Sequence, residues 1–117
     1  MIKPVGKIGE PLVFYFYEAA NSSTSMRLNI VDFVVQEQKS DDKWDTIWQL
    51  NGEQSVEAIT YGGRYKGLAE TTSPKPLSLQ GNYRVIAKDR PRFDPPGYSA
   101  VFFRFNEEGF LIVTSPH

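Results

Sequence analysis

Apolar and polar residues alternate most regularly between residues 77 and 88. A period of two is typical of a β-strand with one buried face and one face in water. The predicted buried face consists of Leu77, Leu79, Gly81, Tyr83, Val85 and Ala87. The opposite face carries Ser78, Gln80, Asn82, Arg84 and Lys88, with Ile86 as its one apolar member.

Six further segments have strand-like patterns: residues 12–18, 28–38, 44–50, 56–61, 101–105 and 110–114. In the third of them, alternation places Trp44 and Trp48 on one face and Ile47 on the other. Asn51-Gly52 and residues 106–109 are predicted turns, because Asn and Gly tolerate the positive φ that tight turns need. Seven short strands separated by turns predict an all-β antiparallel sandwich.

Composition limits the fold and the chemistry. The chain has 117 residues, 40% of them hydrophobic and 14% aromatic, so residues 1–117 are predicted to form one domain around one core. The absence of cysteine excludes disulfides, thiolate zinc sites and thiol nucleophiles. The longest apolar run, residues 12–17, is far shorter than the roughly 20 residues that cross a bilayer. Residues 1–12 lack an apolar signal-peptide core, so an exported form would need a leader before Met1.

Glycine and proline divide the second half of the chain. Gly62-Gly63 is predicted to bend the chain after the fourth strand. Pro74 and Pro76 remove two N–H donors, which predicts that this segment crosses between two sheets. Residues 89–99 are rich in Pro, Arg and aromatic side chains and predict a long loop between two adjacent strands.

This loop supplies the candidate interaction surface. It carries Arg90, Arg92, Phe93 and Tyr98. Arginine together with aromatic side chains is a frequent combination in protein interfaces. The alternative, which the sequence leaves open, is that the loop only packs over the end of the sandwich.

Groups suited to catalysis or metal binding are scarce. His117 is the sole histidine and ends the chain, so no histidine-dependent triad is expected. Asp41, Asp42 and Asp45 lack the alternating ligand spacing of a calcium loop. The glycine-rich residues 62–67 lack the ending of a phosphate-binding loop. We therefore expect no catalytic residue, no metal, no cofactor and no enzymatic activity.

Charge is segregated along the chain although the net charge is only −1. Seven acidic residues lie between positions 32 and 57 against two lysines, and eight basic residues lie between positions 64 and 104 against three acids. Two oppositely charged surfaces and two ordinary solvated sheet faces both fit this pattern. The basic group is too small and too balanced to predict nucleic-acid binding.

The stretch LSLQGNYRV, residues 77–85, resembles the approach to strand F in immunoglobulin and fibronectin type III folds. In those folds a corner tyrosine bonds through its hydroxyl to upstream backbone. The resemblance implies an immunoglobulin-like antiparallel β-sandwich of about seven strands, with Tyr83 at the corner and Trp44 or Trp48 as the core tryptophan of strand C. Losing the corner hydrogen bond in Tyr83→Phe is expected to cost about 1 kcal/mol.

Four short motifs extend the resemblance: I-x-Y-G at 59–62, Gly67-Leu68, P-x-P-L at 74–77 and G-x-Y-R-V at 81–85. Over residues 28–110 the chain is similar to a family of small, uncharacterised immunoglobulin-like proteins of Gram-negative envelopes, many of them predicted lipoproteins. Tyr65 replaces a proline of the family pattern, and the lipid-accepting cysteine is absent. The resemblance implies a periplasmic or outer-membrane-associated protein, lipid-anchored only if a leader was removed. A cytoplasmic location stays open.

These observations predict a non-catalytic module that recognises another protein through the 89–99 loop or a sheet edge. The alternative is a carbohydrate-binding module that stacks sugars on exposed aromatics. That alternative loses its basis if Trp44, Trp48, Tyr61 and Tyr65 are all buried. The sequence does not determine the partner or the oligomeric state, although residues 12–17, apolar on both faces, would permit an edge-mediated dimer.

Overall fold

The computed structural model describes residues 2–17, 26–91 and 97–114. Within these ranges the chain forms nine β-strands and no helix, whereas the sequence predicted about seven strands. The strands are β1 (Ile2–Val5), β2 (Val13–Phe16), β3 (Leu28–Ser40), β4 (Lys43–Val56), β5 (Ala58–Thr60), β6 (Leu68–Thr72), β7 (Asn82–Asp89), β8 (Gly97–Phe105) and β9 (Leu111–Thr114).

The strands form two antiparallel sheets. One has three strands in the order β1-β2-β5, and the other has six in the order β6-β4-β3-β7-β8-β9. The two sheets pack against each other as a sandwich. The predicted fold class, an all-β immunoglobulin-like antiparallel sandwich, is confirmed.

Aromatic side chains from both sheets meet in the core. Phe14 of β2 packs edge-on against Phe33 of β3, with ring centroids 5.4 Å apart. Phe33 in turn lies 5.8 Å from Trp48 of β4. Tyr83 of β7 stacks on Phe103 of β8 at 5.4 Å. All five side chains are buried, and large aromatics contribute most of the apolar area that holds such a sandwich together.

The core tryptophan is Trp48, which is fully buried, whereas Trp44 is only partly buried. It does not lie on the strand that the resemblance implied. If β7 corresponds to strand F and β8 to the strand after it, strand C corresponds to β3, the other neighbour of β7, and β3 contributes Phe33 to the core. Trp48 comes from β4, one strand further along the sheet.

Strand β2 is the centre of the smaller sheet and pairs with β1 on one side and β5 on the other. Its Phe14 and Phe16 are buried, while Tyr15 between them is 36% exposed. An edge-mediated dimer through residues 12–17 therefore has no free edge to use, because neighbouring strands already take the hydrogen bonds of β2.

The predicted turn at Asn51-Gly52 is wrong, because β4 runs through it to Val56. Gly52 instead lies at a close approach of two backbones. It pairs with Leu68 at the start of β6, and its φ is +147°. A Cβ at this position would collide with the carbonyl oxygen of Gly67. Glycine is required here by backbone proximity rather than by a hairpin.

A register shift between β3 and β4 changes which face the β4 side chains occupy. Val35 pairs with Trp48, but the next residue, Gln36, pairs with Thr46, which leaves Ile47 as an extra residue on β4. Such a bulge reverses the phase of alternation. Ile47 and Trp48 are therefore both buried, and the predicted grouping of Trp44 with Trp48 on one face is wrong.

The regular pattern of residues 77–88 is only partly a strand. Tyr83, Val85 and Ala87 are buried as predicted, but β7 begins at Asn82. The five residues before it form no strand, and Leu79 is 42% exposed. The apolar residues at the start of the pattern were assigned to the strand by periodicity alone, although the bend before Gly81 separates them from it.

The proline segment does not cross between sheets. It joins β6 to β7, which belong to the same six-stranded sheet. Lys75 of this segment donates its backbone N–H to the Ile47 carbonyl, and its own carbonyl accepts from the Tyr61 hydroxyl. The chain changes sheets earlier, around the short strand β5.

The predicted hairpin at residues 106–109 is confirmed. Gly109 has a φ of +90°, and Asn106 accepts two backbone N–H groups of the turn with its side-chain oxygen. The turn places β9 beside β8 at the edge of the larger sheet.

Candidate interaction surface

Tyr98 lies on a strand and not on a loop. Strands β7 and β8 extend beyond the predicted loop boundaries, so that Asp89 pairs with Gly97 and Lys88 with Tyr98. The connecting loop is therefore shorter than residues 89–99. Tyr98 is 77% exposed, the most exposed large hydrophobic side chain among those described. Arg92 and Phe93 lie outside the described residues.

Arg90 lies just beyond β7 and contacts the start of β3. Its backbone N–H donates to the carbonyl of Asn29, and its carbonyl accepts from the Asn29 side-chain amide. Its guanidinium lies 3.5 Å from a carboxylate oxygen of Glu53, and both side chains are exposed. A shallow depression is lined by Asn29, Glu53, Arg90 and Pro91, whereas Tyr98 lines a different one.

Tyr98 belongs to the outer face of the six-stranded sheet, the face turned away from the smaller sheet. Because Tyr83, Val85 and Ala87 point into the core, the alternate residues of β7 and their cross-strand neighbours point outward. They form three cross-strand rows, which together with Trp44 we call the outer-face patch: Gln36–Arg84–Phe102, Val34–Ile86–Ala100 and Asp32–Lys88–Tyr98.

The centre of the outer-face patch is apolar. Val34 is only 8% exposed, although it lies outside the core cluster and on the opposite side of the sheet from Phe33 and Val35. Its cross-strand neighbour Ile86 is half-buried. Outward-facing positions of antiparallel sheets are usually polar, so an apolar row here is unusual and marks a surface suited to contact.

At one end of the patch, Arg84 lies over Trp44. The Arg84 Cζ atom is 4.3 Å from the centroid of the indole ring, within the range of a cation–π interaction. Its Nε donates to Gln36 Oε1 at 2.6 Å, and Gln36 Nε2 donates to Thr46 Oγ1 at 3.2 Å. Trp44 also packs edge-on against Phe102 at 5.9 Å. These contacts hold the arginine side chain in one position.

At the other end, Asp32 accepts hydrogen bonds from the side-chain amides of Gln49 at 3.0 Å and Asn51 at 2.8 Å. An open depression of about 610 Å³ lies beside it, lined by Asp32, Ile86, Lys88 and Tyr98. Both amide donors come from β4, so the aspartate is directed towards that strand.

The four aromatics considered as sugar platforms have different environments. Trp48 is fully buried, and its Nε1 donates to Glu70 Oε2 at 3.0 Å. Tyr61 and Tyr65 are half-buried and pack against the core. Of the four, only Trp48 is fully buried, because Trp44 is also only partly buried. Its ring makes an angle of 70° with that of Phe102, and these two rings do not form a flat platform.

Tyr83 has the geometry of a corner tyrosine. Its hydroxyl accepts from the backbone N–H of Ser78 at 2.6 Å and lies 3.3 Å from the Ser78 carbonyl and 3.2 Å from Glu37 Oε2. Burial raises the pKa of this phenol to about 12. A Cβ on Gly81 would overlap the Tyr83 ring, which explains glycine two residues before the tyrosine. The cluster is structural and lies apart from the outer-face patch.

Tyr98 belongs both to the surface predicted from the sequence and to the outer-face patch. The sequence also placed Arg84 on the wet face of its strand, but it did not connect Arg84 with Trp44. The two residues are 40 positions apart and lie on strands separated by β3. Alternation within residues 44–50 had assigned Trp44 to the face of Trp48. The bulge at Ile47 places the two tryptophans on opposite faces of the sheet, and no local sequence pattern predicts this bulge.

In the described parts of the chain, no three or more Asp, Glu or His side chains come together in a way that could hold a metal ion. None of the described segments is a helix with the length and apolar character to span a membrane. No protein-family model, curated protein or solved structure matches this chain.

Proposed function

We propose that the protein is a non-catalytic immunoglobulin-like module that recognises another protein through the outer-face patch. The observation that carries this proposal is the 77% exposure of Tyr98 beside an apolar row on a sheet face where polar residues are usual. Tyrosine is enriched at the centres of protein interfaces because it combines a large apolar ring with a polar tip. The motif resemblance favours a location in the bacterial envelope, with the partner in the same compartment.

The surface differs from the one expected from sequence. Tyr98 remains in it, and Arg90 lies at its margin in a separate depression. Arg84, Trp44 and Phe102 replace the loop as its main components. The larger sheet offers a firmer support for recognition than a loop, since β7 is paired on both sides.

Capture of partners by immobilised protein tests the proposal. Wild type, Tyr98→Ser and Tyr15→Ser would be exposed to an envelope extract of the native host, and the captured proteins compared by quantitative mass spectrometry. Tyr15 is a matched control, because it is an exposed strand tyrosine on the outer side of the other sheet. We expect at least one protein that Tyr98→Ser loses and Tyr15→Ser retains. Identical capture by all three would reject the surface.

A carbohydrate ligand is the second candidate. It is favoured by the depression whose lining combines the exposed Tyr98 with the Asp32 and Lys88 side chains, since sugars combine stacking faces with hydroxyl groups. The 70° angle between Trp44 and Phe102 disfavours an extended stacking platform. Titration with chitin and cellulose oligosaccharides, followed by NMR signals of Tyr98, would distinguish the two: saturable shifts support the sugar, and their absence leaves the protein partner.

A further inference from the structure

Among the described residues, the guanidinium of Arg84 is held in place without an acidic partner. Its Nε donates to Gln36 and its Cζ atom lies over the Trp44 ring, and no hydrogen bond to a described residue uses the two terminal NH2 groups. The ion pairs in the described part of the chain are Lys39–Glu37 and Arg90–Glu53. A fixed planar guanidinium with two unbonded terminal NH2 groups matches the two oxygens of a carboxylate.

A second cation lies on the same face. Lys88 follows Arg84 on β7 after four residues, and Ile86 stands between them. Along a strand this separation is about 13 Å, from a rise of roughly 3.3 Å per residue. Each cation has an aromatic neighbour on β8: Phe102 is paired with Arg84, and Tyr98 with Lys88. One cation–aromatic pair therefore lies on each side of the apolar row.

Asp32 is the one acidic residue in the three rows, and its side chain is bonded towards β4, away from β8. Its Oδ1 is occupied by the amides of Gln49 and Asn51 on β4. Tyr98 lies on the opposite side of Lys88, on β8. A carboxylate placed over Lys88 from the side of β8 would meet the amine before it approached Asp32.

We propose that the partner presents an extended acidic segment to this face, with one carboxylate bound by the Arg84 fork. The spacing specifies the segment: acids at positions i and i+4 for Arg84 and Lys88, and an apolar side chain at i+2 for the Ile86 row. An extended segment presents i, i+2 and i+4 on one side, so the three groups face the patch together. This inference rests on the proposed recognition of a protein through the outer-face patch.

NMR titration of the full ¹⁵N-labelled chain tests it. The probe is a nonapeptide with the sequence SSESLSESS, and the control is SSEELSSSS, which has the same composition but adjacent acids. We expect saturable shifts of the Arg84 Nε–H and Trp44 indole N–H signals with the probe, and at least fivefold weaker binding of the control. The Trp48 indole, buried and bonded to Glu70, is the internal reference and should not move.

Two variants distinguish bidentate binding by the planar Arg84 guanidinium from attraction to a positive charge alone. Arg84→Lys keeps the positive charge but loses the planar fork, and we expect it to raise Kd at least tenfold. Arg64→Lys, at an exposed site outside the patch, should leave Kd within twofold. An unchanged Trp48 indole signal in Arg84→Lys would verify that the variant is folded.

Three results would overturn the acidic-segment proposal: equal binding of both peptides, an unchanged Kd in Arg84→Lys, or equal saturable shifts with inorganic phosphate at the same concentration. The last would identify a general anion site. A partner lost by Tyr98→Ser but kept by Arg84→Lys would reject the arginine anchor and leave the recognition surface in place. Peptide binding without any partner dependent on Tyr98 would instead reject the proposed function.

Discussion

Removing the Tyr83 hydroxyl tests the hydrogen bonds by which this buried tyrosine holds the corner before β7. In Tyr83→Phe the ring can keep its stacking on Phe103 at 5.4 Å and its edge contact with Phe105 at 6.0 Å. Only the hydrogen bonds of the hydroxyl are lost. The Ser78 N–H loses its acceptor at 2.6 Å, and Glu37 Oε2 and the Ser78 carbonyl lose a shared donor.

The structure raises the expected cost above the single hydrogen bond considered from sequence. One part-buried N–H left without a partner costs about 1–3 kcal/mol, and a hydrogen bond to a carboxylate contributes about 1.5–3 kcal/mol. These effects are not additive, because Glu37 can turn to water. We therefore expect Tyr83→Phe to lower the free energy of unfolding by about 2–3 kcal/mol.

Urea unfolding followed by tryptophan fluorescence measures this difference. The slope with denaturant should stay unchanged, since the substitution alters no large surface, and the midpoint should fall. Tyr15→Phe is the control, because this exposed tyrosine should change stability by less than about 0.5 kcal/mol. A double-mutant cycle with Glu37→Gln would apportion the carboxylate contribution. A loss below about 0.5 kcal/mol in Tyr83→Phe would refute the corner interpretation.

Three further perturbations test other parts of the structure. Gly52→Ala should destabilise by about 2 kcal/mol or more, because its Cβ meets a backbone carbonyl; an unchanged melting temperature would contradict the close approach. Trp48→Phe should lower the free energy of unfolding in urea by about 2–4 kcal/mol, because it loses side-chain volume and the hydrogen bond to Glu70. A decrease below about 1 kcal/mol would contradict its role in the core. Burial raises the pKa of Tyr83 to about 12 and that of Tyr61 as well, above the unfolded value near 10. The contribution of these two phenols to the free energy of unfolding should therefore be constant below pH 10 and fall as the pH rises from 10 to 12. The fall should be less steep in Tyr83→Phe. A free energy of unfolding that does not change over this range would count against both pKa shifts.

Local patterns predicted those features that depend on neighbouring residues alone. Alternation identified the buried face of β7, and the glycine of the 106–109 turn was found because αL backbone geometry favours glycine. The corner tyrosine could also be predicted from the sequence, since Gly81 and Tyr83 are two residues apart. Of the candidate surface, Tyr98 was identified, although as a loop residue.

Tertiary structure decided the remaining features, because they arise from pairing between distant segments. The bulge at Ile47 exists only because β4 must match β3, and it alone turns Trp44 outward while Trp48 enters the core. Gly52 is needed for the approach of Gly67, which no local pattern signals. The contact of Arg84 with Trp44 likewise depends on strand order. Local sequence patterns predict single strands, but they do not predict which strands become neighbours.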